Sequence, residues 1–262
     1  MSESQLDFFS DMDIVSEQSA SPHISHALVP AQIDDATLIA AIPESSLADS
    51  AALAAEAGRR HLAAAVPALA DLCRRFAGFG TRRMVGEQVA ALQALAMIGG
   101  RDAAHAVAEM IERAVVQGPT LHIAVSTAAR LRATLSSHAV QQLLRHDERG
   151  VRAEACRCAR ARPELMRILT DLLEDLDSNV AMSAACALGR MGRIEARPML
   201  KRLLRENPTP DAIDAAASIA DAECAVLLRR LARTRPDLAE AVLASLGVLD
   251  DADAVASAIF RR

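Results

Sequence analysis

A doublet of adjacent apolar residues returns along this chain at an interval of about thirty residues, the period of a helical repeat array. Met110-Ile111, Leu143-Leu144, Leu172-Leu173 and Leu203-Leu204 form the series; Leu231-Ala232 extends it and Leu72-Cys73 precedes it. A second set of segments recurs in step with the first. Val151-Arg152-Ala153-Glu154-Ala155-Cys156 aligns with Val180-Ala181-Met182-Ser183-Ala184-Ala185. Each follows an aspartate, Asp147 or Asp177, placed to accept from the free N–H groups of a helix start. One such unit, two short helices and a turn, cannot bury its apolar face alone, and stacking the units creates the core. The fold expected is therefore all-α, a solenoid of six or seven helical hairpins. Composition agrees, with 52% hydrophobic but only 2% aromatic residues and no alternating strand pattern.

Charge divides the chain in two. Residues 1–33, rich in Ser and Asp with Pro22 and Pro30, read as a disordered acidic tail, and residues 34–262 as the repeat array. Residues 1–50 contain no Lys or Arg, yet carry Glu3, Asp7, Asp11, Asp13, Glu17, Asp34, Asp35, Glu44 and Asp49. The formal net charge of −5 thus joins a strongly acidic arm to a mildly basic body, too weakly basic to hold a polyanion tightly. The five cysteines occupy alanine-like positions and read as small buried apolar residues kept reduced. Cys156 and Cys158 diverge around a helix and share no metal spacing. The acidic N-terminus lacks the apolar segment of a secretory signal, and no charge-free apolar run has the length of a membrane span. The cytoplasm is the expected compartment.

The pattern Asp–x–x–(x)–Val–Arg–x–x–Ala–x–x–Ala–Leu–Gly, closed by a Leu-Leu doublet, resembles the HEAT repeat in the short bacterial form of bilin-lyase-type proteins. Asp177 to Glu206 carries it best, through Val180, Ala184, Ala187, Leu188, Gly189, Leu203 and Leu204. The preceding unit, Asp147 to Asp175, keeps Val151 and Arg152 but has Ala159-Arg160 where the family has Leu-Gly. The likeness runs from Leu47 to Ile259 with degenerate terminal units. It implies a rigid curved stack whose second helices line the concave surface, working as a non-enzymatic protein–protein adaptor or scaffold. It also implies an alternative, an accessory part in attaching a cofactor or chromophore to a client.

Chemistry is sparse. The seven histidines share no ligand spacing and no His-Glu dipeptide occurs, which argues against the metal-dependent hydroxylases of similar fold. Without Trp or Tyr, nothing supplies the aromatic cradle of the HEAT-like DNA glycosylases. Gly78-Phe79-Gly80 and Gly99-Gly100 fall where helices end rather than in a phosphate loop. No catalytic, cofactor-binding or metal-binding residue is assigned, and the chain is not expected to be an enzyme.

The candidate site is electrostatic. Two rows frame the doublets: Arg74, Glu112, Arg145, Glu174, Arg205 and Arg233 follow them, and Asp71, Glu109, Gln142, Asp171, Arg202 and Arg230 precede them. Both rows should face solvent, because the apolar stripe runs through positions such as Leu165, Leu169, Leu172, Leu173 and Leu176. Arg145, Arg202, Arg205, Arg229, Arg230 and Arg233 then form a partner-binding groove suited to the carboxylates of an acidic protein.

The tail offers a second docking element. Gln5-Leu6-Asp7-Phe8-Phe9 resembles the bacterial sliding-clamp-binding peptide Gln-Leu-(Ser/Asp)-Leu-Phe, with Phe8 in place of the second leucine. Gln5, Leu6, Phe8, Phe9, Ile14 and Val15 are its candidate anchors, and its acidity suits it to fold back onto the arginine groove. Protein partners are expected, acidic ones in particular; membrane contact is not, and nucleic acid or the clamp enters only as a weaker association.

Overall fold

The computed structural model describes residues 30–46, 48–219 and 221–259, from residue 248 onward as backbone alone. After a 3-10 turn at Pro30–Gln32 and helix α1 (Asp35–Ala41), the described residues make six helical hairpins. They are α2 (Ser50–Arg59) with α3 (Val66–Arg75), α4 (Gly86–Ile98) with α5 (Gly100–Glu112), and α6 (Pro119–Arg130) with α7 (Ser137–Leu144). Then come α8 (Arg149–Cys158) with α9 (Pro163–Asp171), α10 (Ser178–Arg190) with α11 (Arg197–Glu206), and α12 (Pro210–Ser218) with α13 (Ala222–Thr234). A long last helix, α14 (Pro236–Ile259), follows, and no strand occurs among the described residues. Each first helix packs on the first helix of the next hairpin, from α2 through α14, making one layer; the second helices make the other. This is the all-α solenoid that the repeat interval requires.

The apolar doublets stand on the second helices and face the seam between layers. Leu72, Cys73, Met110, Ile111, Leu143, Leu144, Leu203 and Leu204 are buried. The fourth doublet departs from the pattern, because α9 ends at Asp171 and Leu172–Leu173 lie half-buried in a 3-10 turn. Leu176, expected on the apolar stripe, is instead fully exposed. The neighbouring acids explain why the helix stops short of it. Asp175 is held by Arg152, and Asp177 accepts from the N–H groups of Asn179 (3.0 Å) and Val180 (3.3 Å) at the start of α10. Asp147 makes no such cap; Glu148 takes the N-cap position of α8 without a side-chain bond. Asp34, Ser136, Thr209 and Asp221 cap α1, α7, α12 and α13 through their side chains.

Small residues set the spacing of the first layer. A Cβ at Gly58 on α2 would stand 2.9 Å from Ala94 Cα on α4, and one at Gly189 on α10 would stand 2.9 Å from the Ala215 carbonyl on α12. Gly189 is thus the place where α10 and α12 touch backbone to backbone. At the near end of the solenoid, Glu56 receives hydrogen bonds from Arg59 and Arg60 at 2.6 Å each, which draw its carboxyl down to about 2. Arg60 also donates to the carbonyls of Pro30 and Ile33, both at 2.9 Å. Residues 30–33, assigned to the tail from composition, are therefore tied to the end of α2.

Gln88 on α4 joins three segments. It is 1% exposed, and its Nε2 donates to the carbonyls of Cys73 (3.0 Å) at the end of α3 and Val115 (3.1 Å) after α5. The Cys73 carbonyl also accepts from the N–H of Phe76 (3.2 Å), whereas the Val115 carbonyl lies in the turn beyond α5. Gln88→Met keeps the volume, removes both bonds and strands the Val115 carbonyl, so it is expected to lower stability by roughly 1–2 kcal/mol, read from a shifted urea midpoint. An unchanged midpoint would show that water replaces the amide there.

Candidate protein-binding surface

The first-layer helices run parallel, so their N-terminal ends share one edge and their C-terminal ends the other. At the N-terminal edge, Arg149 on α8 meets Asp177 ahead of α10 at 3.2 Å. At the C-terminal edge, His61 Nδ1 beyond α2 lies 2.7 Å from the carbonyl of Met97 on α4, and Arg160 Nη2 donates to the Arg132 carbonyl at 3.4 Å. Acids collect at the first edge and arginines at the second, as the helix dipoles favour.

Two clefts open on this layer, of about 600 and 700 Å³, and the ion pair of Arg157 with Asp211 (2.9 Å) borders both. The cleft toward the N-terminal edge is lined by His122, Gly150, Glu154, Asp177, Met182 and Cys186, among others. A Cβ at Gly150 would stand 3.2 Å from the His122 ring, so the glycine admits that ring against α8. The buried Oε2 of Glu154 faces it too, 3.6 Å from Arg157 Nη1 in an ion pair without hydrogen-bond geometry. The cleft toward the C-terminal edge is different. Arg130, Arg132, Arg157, Arg160 and Arg190 line it, opposed by Asp211 and Asp214. Among the described residues, no carboxylate comes within ion-pair distance of Arg130, Arg132, Arg160 or Arg190. Arg130, Arg157 and Arg190 stand in the last turns of α6, α8 and α10, where the dipole accounts for them. Arg132 and Arg160 lie beyond the helix ends and have no such account. A third depression of about 410 Å³, between α4 and α6, includes Met97, Ile123 and Arg130 and so adjoins the arginine cleft.

The residues singled out from sequence lie on the other layer. Both rows around the doublets are exposed except Glu109, which is half-buried. The structure does not gather all six groove arginines. Arg145 caps α7, two hairpins away from α11, while Arg202 and Arg205 on α11 adjoin α13, which carries Arg229, Arg230 and Arg233. Arg205 is bound to Glu223 at 3.0 Å, beside Lys201 on the same carboxylate, and Arg202 pairs with Glu206 at 3.4 Å. Arg229, Arg230 and Arg233 are exposed with no carboxylate partner among the described residues. The tail anchors Gln5, Leu6, Phe8, Phe9, Ile14 and Val15 lie outside the described residues. The first-layer arginines lie outside the doublet pattern, which marks the second helices alone. The signal was present: Arg130, Arg160 and Arg190 recur at the repeat interval.

All five cysteines are buried. Burial pushes the thiols of Cys73, Cys156 and Cys158 up to about 12 and those of Cys186 and Cys224 to about 11. None is a thiolate near neutral pH. Among the described residues, no group of three or more His, Cys, Asp or Glu is arranged to hold a metal ion, and no helix is long and apolar enough to cross a membrane.

Comparison with known proteins bears on the middle of the array. The family of HEAT repeats matches residues 136–220, from the cap of α7 to the end of α12. No curated protein matches the chain in sequence. Among solved structures, the YibA protein of Escherichia coli aligns over 90% of this chain and 99% of its own, with 13% identity and a TM-score of 0.44.

Proposed function

We propose that this chain, whose residues 136–220 are HEAT repeats, is a non-enzymatic cytoplasmic scaffold that binds acidic segments of protein partners. HEAT repeats generally mediate protein–protein interaction. The observation that carries the finer reading is the cleft where Arg130, Arg132, Arg160 and Arg190 converge without carboxylates of their own. Guanidinium groups held by a rigid scaffold match carboxylates in two-point contacts, and pre-positioning limits the entropy lost on binding. The exposed arginines of α13, with Arg202 beside them, offer a second basic surface on the opposite layer. Buried, protonated thiols fit a scaffold in a reducing compartment better than a nucleophile.

A fluorescein-labelled glutamate-rich peptide, titrated against the full chain by anisotropy, tests the reading and separates the two surfaces. Arg130→Glu/Arg160→Glu is expected to weaken binding at least tenfold, and Arg229→Glu/Arg230→Glu by less, with both variants melting as the parent does. Binding that neither variant weakens, or that added salt leaves unchanged, would overturn it.

A further inference from the structure

The arginine cleft has a complementary ligand within the same chain. We propose that residues 1–29 fold back along the first layer and occupy the cleft at Arg130, Arg132, Arg160 and Arg190, so that an acidic partner must displace them. This rests on the acidic-segment reading above and adds the identity of the resident occupant.

Charge is the first argument. Residues 1–29 carry Glu3, Asp7, Asp11, Asp13 and Glu17 and no Lys or Arg. The cleft presents five arginines, of which only Arg157 is paired, and Asp211 is neutralised by that pair. Asp214 is then the one unpaired acid among its lining residues. A C-terminal edge crowded with unshielded guanidinium groups repels itself, and carboxylates relieve that repulsion.

Apolar pattern is the second. Leu6, Phe8, Phe9, Met12, Ile14 and Val15 alternate with the aspartates. The depression between α4 and α6, next to the arginines, offers Met97, which is 42% exposed, and half-buried Ile123. Aspartates on arginine and apolar side chains in the adjoining depression satisfy both halves of the segment.

Entry point and reach are the third. The chain enters the described structure at Pro30, whose carbonyl accepts from Arg60 Nη2 at the C-terminal end of α2. That is the edge on which the arginines stand. From α2 to α8 is three helix spacings, about 30 Å at 8–10 Å each. The segment reaches roughly that distance as a coil and about 100 Å fully extended. Tethering gives it an effective concentration on the order of millimolar, so weak contacts suffice to keep the cleft filled.

The test uses the full chain. Ser10→Cys and Thr134→Cys receive nitroxide labels, the native thiols being buried and protonated, and pulsed EPR reads the distance between them. A defined short-distance population is expected, lost in Arg130→Glu/Arg160→Glu and at about 1 M salt, where the Debye length is near 3 Å. In parallel, neutralising the tail (Glu3→Gln, Asp7→Asn, Asp11→Asn, Asp13→Asn, Glu17→Gln) is expected to tighten binding of the glutamate-rich probe at least tenfold. A distance distribution that charge reversal leaves unchanged, with probe binding equal in parent and tail-neutralised chains, overturns the tail proposal and spares the acidic-segment reading. Failure of the probe to bind either chain overturns both.

Discussion

Gly118→Ala is expected to destabilise the array by about 3 kcal/mol or more, a melting-temperature drop of roughly 6–12 °C for a chain of this size. Two independent penalties combine there. Gly118 caps α6 with φ 55° and ψ −142°, a backbone conformation open to glycine and strained for other residues. A Cβ at that position would also stand 2.1 Å from the Gly80 carbonyl oxygen and 2.7 Å from that of Thr81. These are backbone atoms of the loop between α3 and α4, so relief requires the loop itself to move. Gly78→Ala supplies the control, because Gly78 has φ 82° but nothing within 4 Å of its absent Cβ. It should lose only the strain, about 1 kcal/mol. Equal losses in the two variants, measured as urea midpoints, would show that the loop does not press on Gly118.

The architecture was readable because one requirement repeats. Each hairpin must bury the same face against its neighbours, so apolar doublets recur at the same places, as Leu143-Leu144 and Leu203-Leu204 do. What the period cannot show is a local override. The doublet at Leu172–Leu173 predicted a helix continuing through Leu176, yet Asp175 and Asp177 engage Arg152 and the start of α10 and end it early. Side-chain bonds to backbone compete with helix continuation, and no count of apolar positions reveals who wins. Asp147 and Asp177 illustrate the same point, since matching positions gave one cap and not the other.

The candidate site was less legible for a geometric reason. Charges of both signs alternate on every exposed face, and sequence alone does not say which arginines meet carboxylates. On α11, Arg205 shares Glu223 with Lys201, which removes it from the free set. At the ends of α6, α8 and α10, by contrast, parallel packing draws together arginines that lie far apart in the chain. That convergence comes from the stacking of hairpins, and the repeat interval hints at it only once the first helices are known to run side by side.

Asp175→Ala should cost a further large amount, about 3 kcal/mol near neutral pH, through a pair that locks two hairpins. Arg152 on α8 grips Asp175 with two parallel bonds, Nε to Oδ2 at 2.9 Å and Nη2 to Oδ1 at 3.0 Å. Its Nη1 donates to the carbonyls of His146 and Asp147, both at 2.9 Å. Asp175 in turn accepts from the N–H of Asp177 at 2.8 Å, fixing the residue that caps α10. Both side chains are largely buried, at 18% and 9% exposure, so removal of the carboxylate leaves a charged guanidinium facing an unfilled space. The hydrogen bond from Arg152 holds the Asp175 carboxyl below the usual carboxylate range, against the opposing effect of burial. A lowered folded-state value means the stabilisation is complete above the unfolded carboxylate's range and is lost as pH falls through the folded value. The gap between parent and Asp175→Ala should therefore be widest near neutrality, begin to narrow at about pH 4, where the unfolded chain's carboxylate takes up its proton, and close as pH falls through the lower folded value. Arg152→Met/Asp175→Ala should be less destabilised than the two single losses added together, since no buried charge is then left alone. A gap that stays constant from pH 7 to pH 3 would show that Asp175 acts through packing, with its charge contributing nothing.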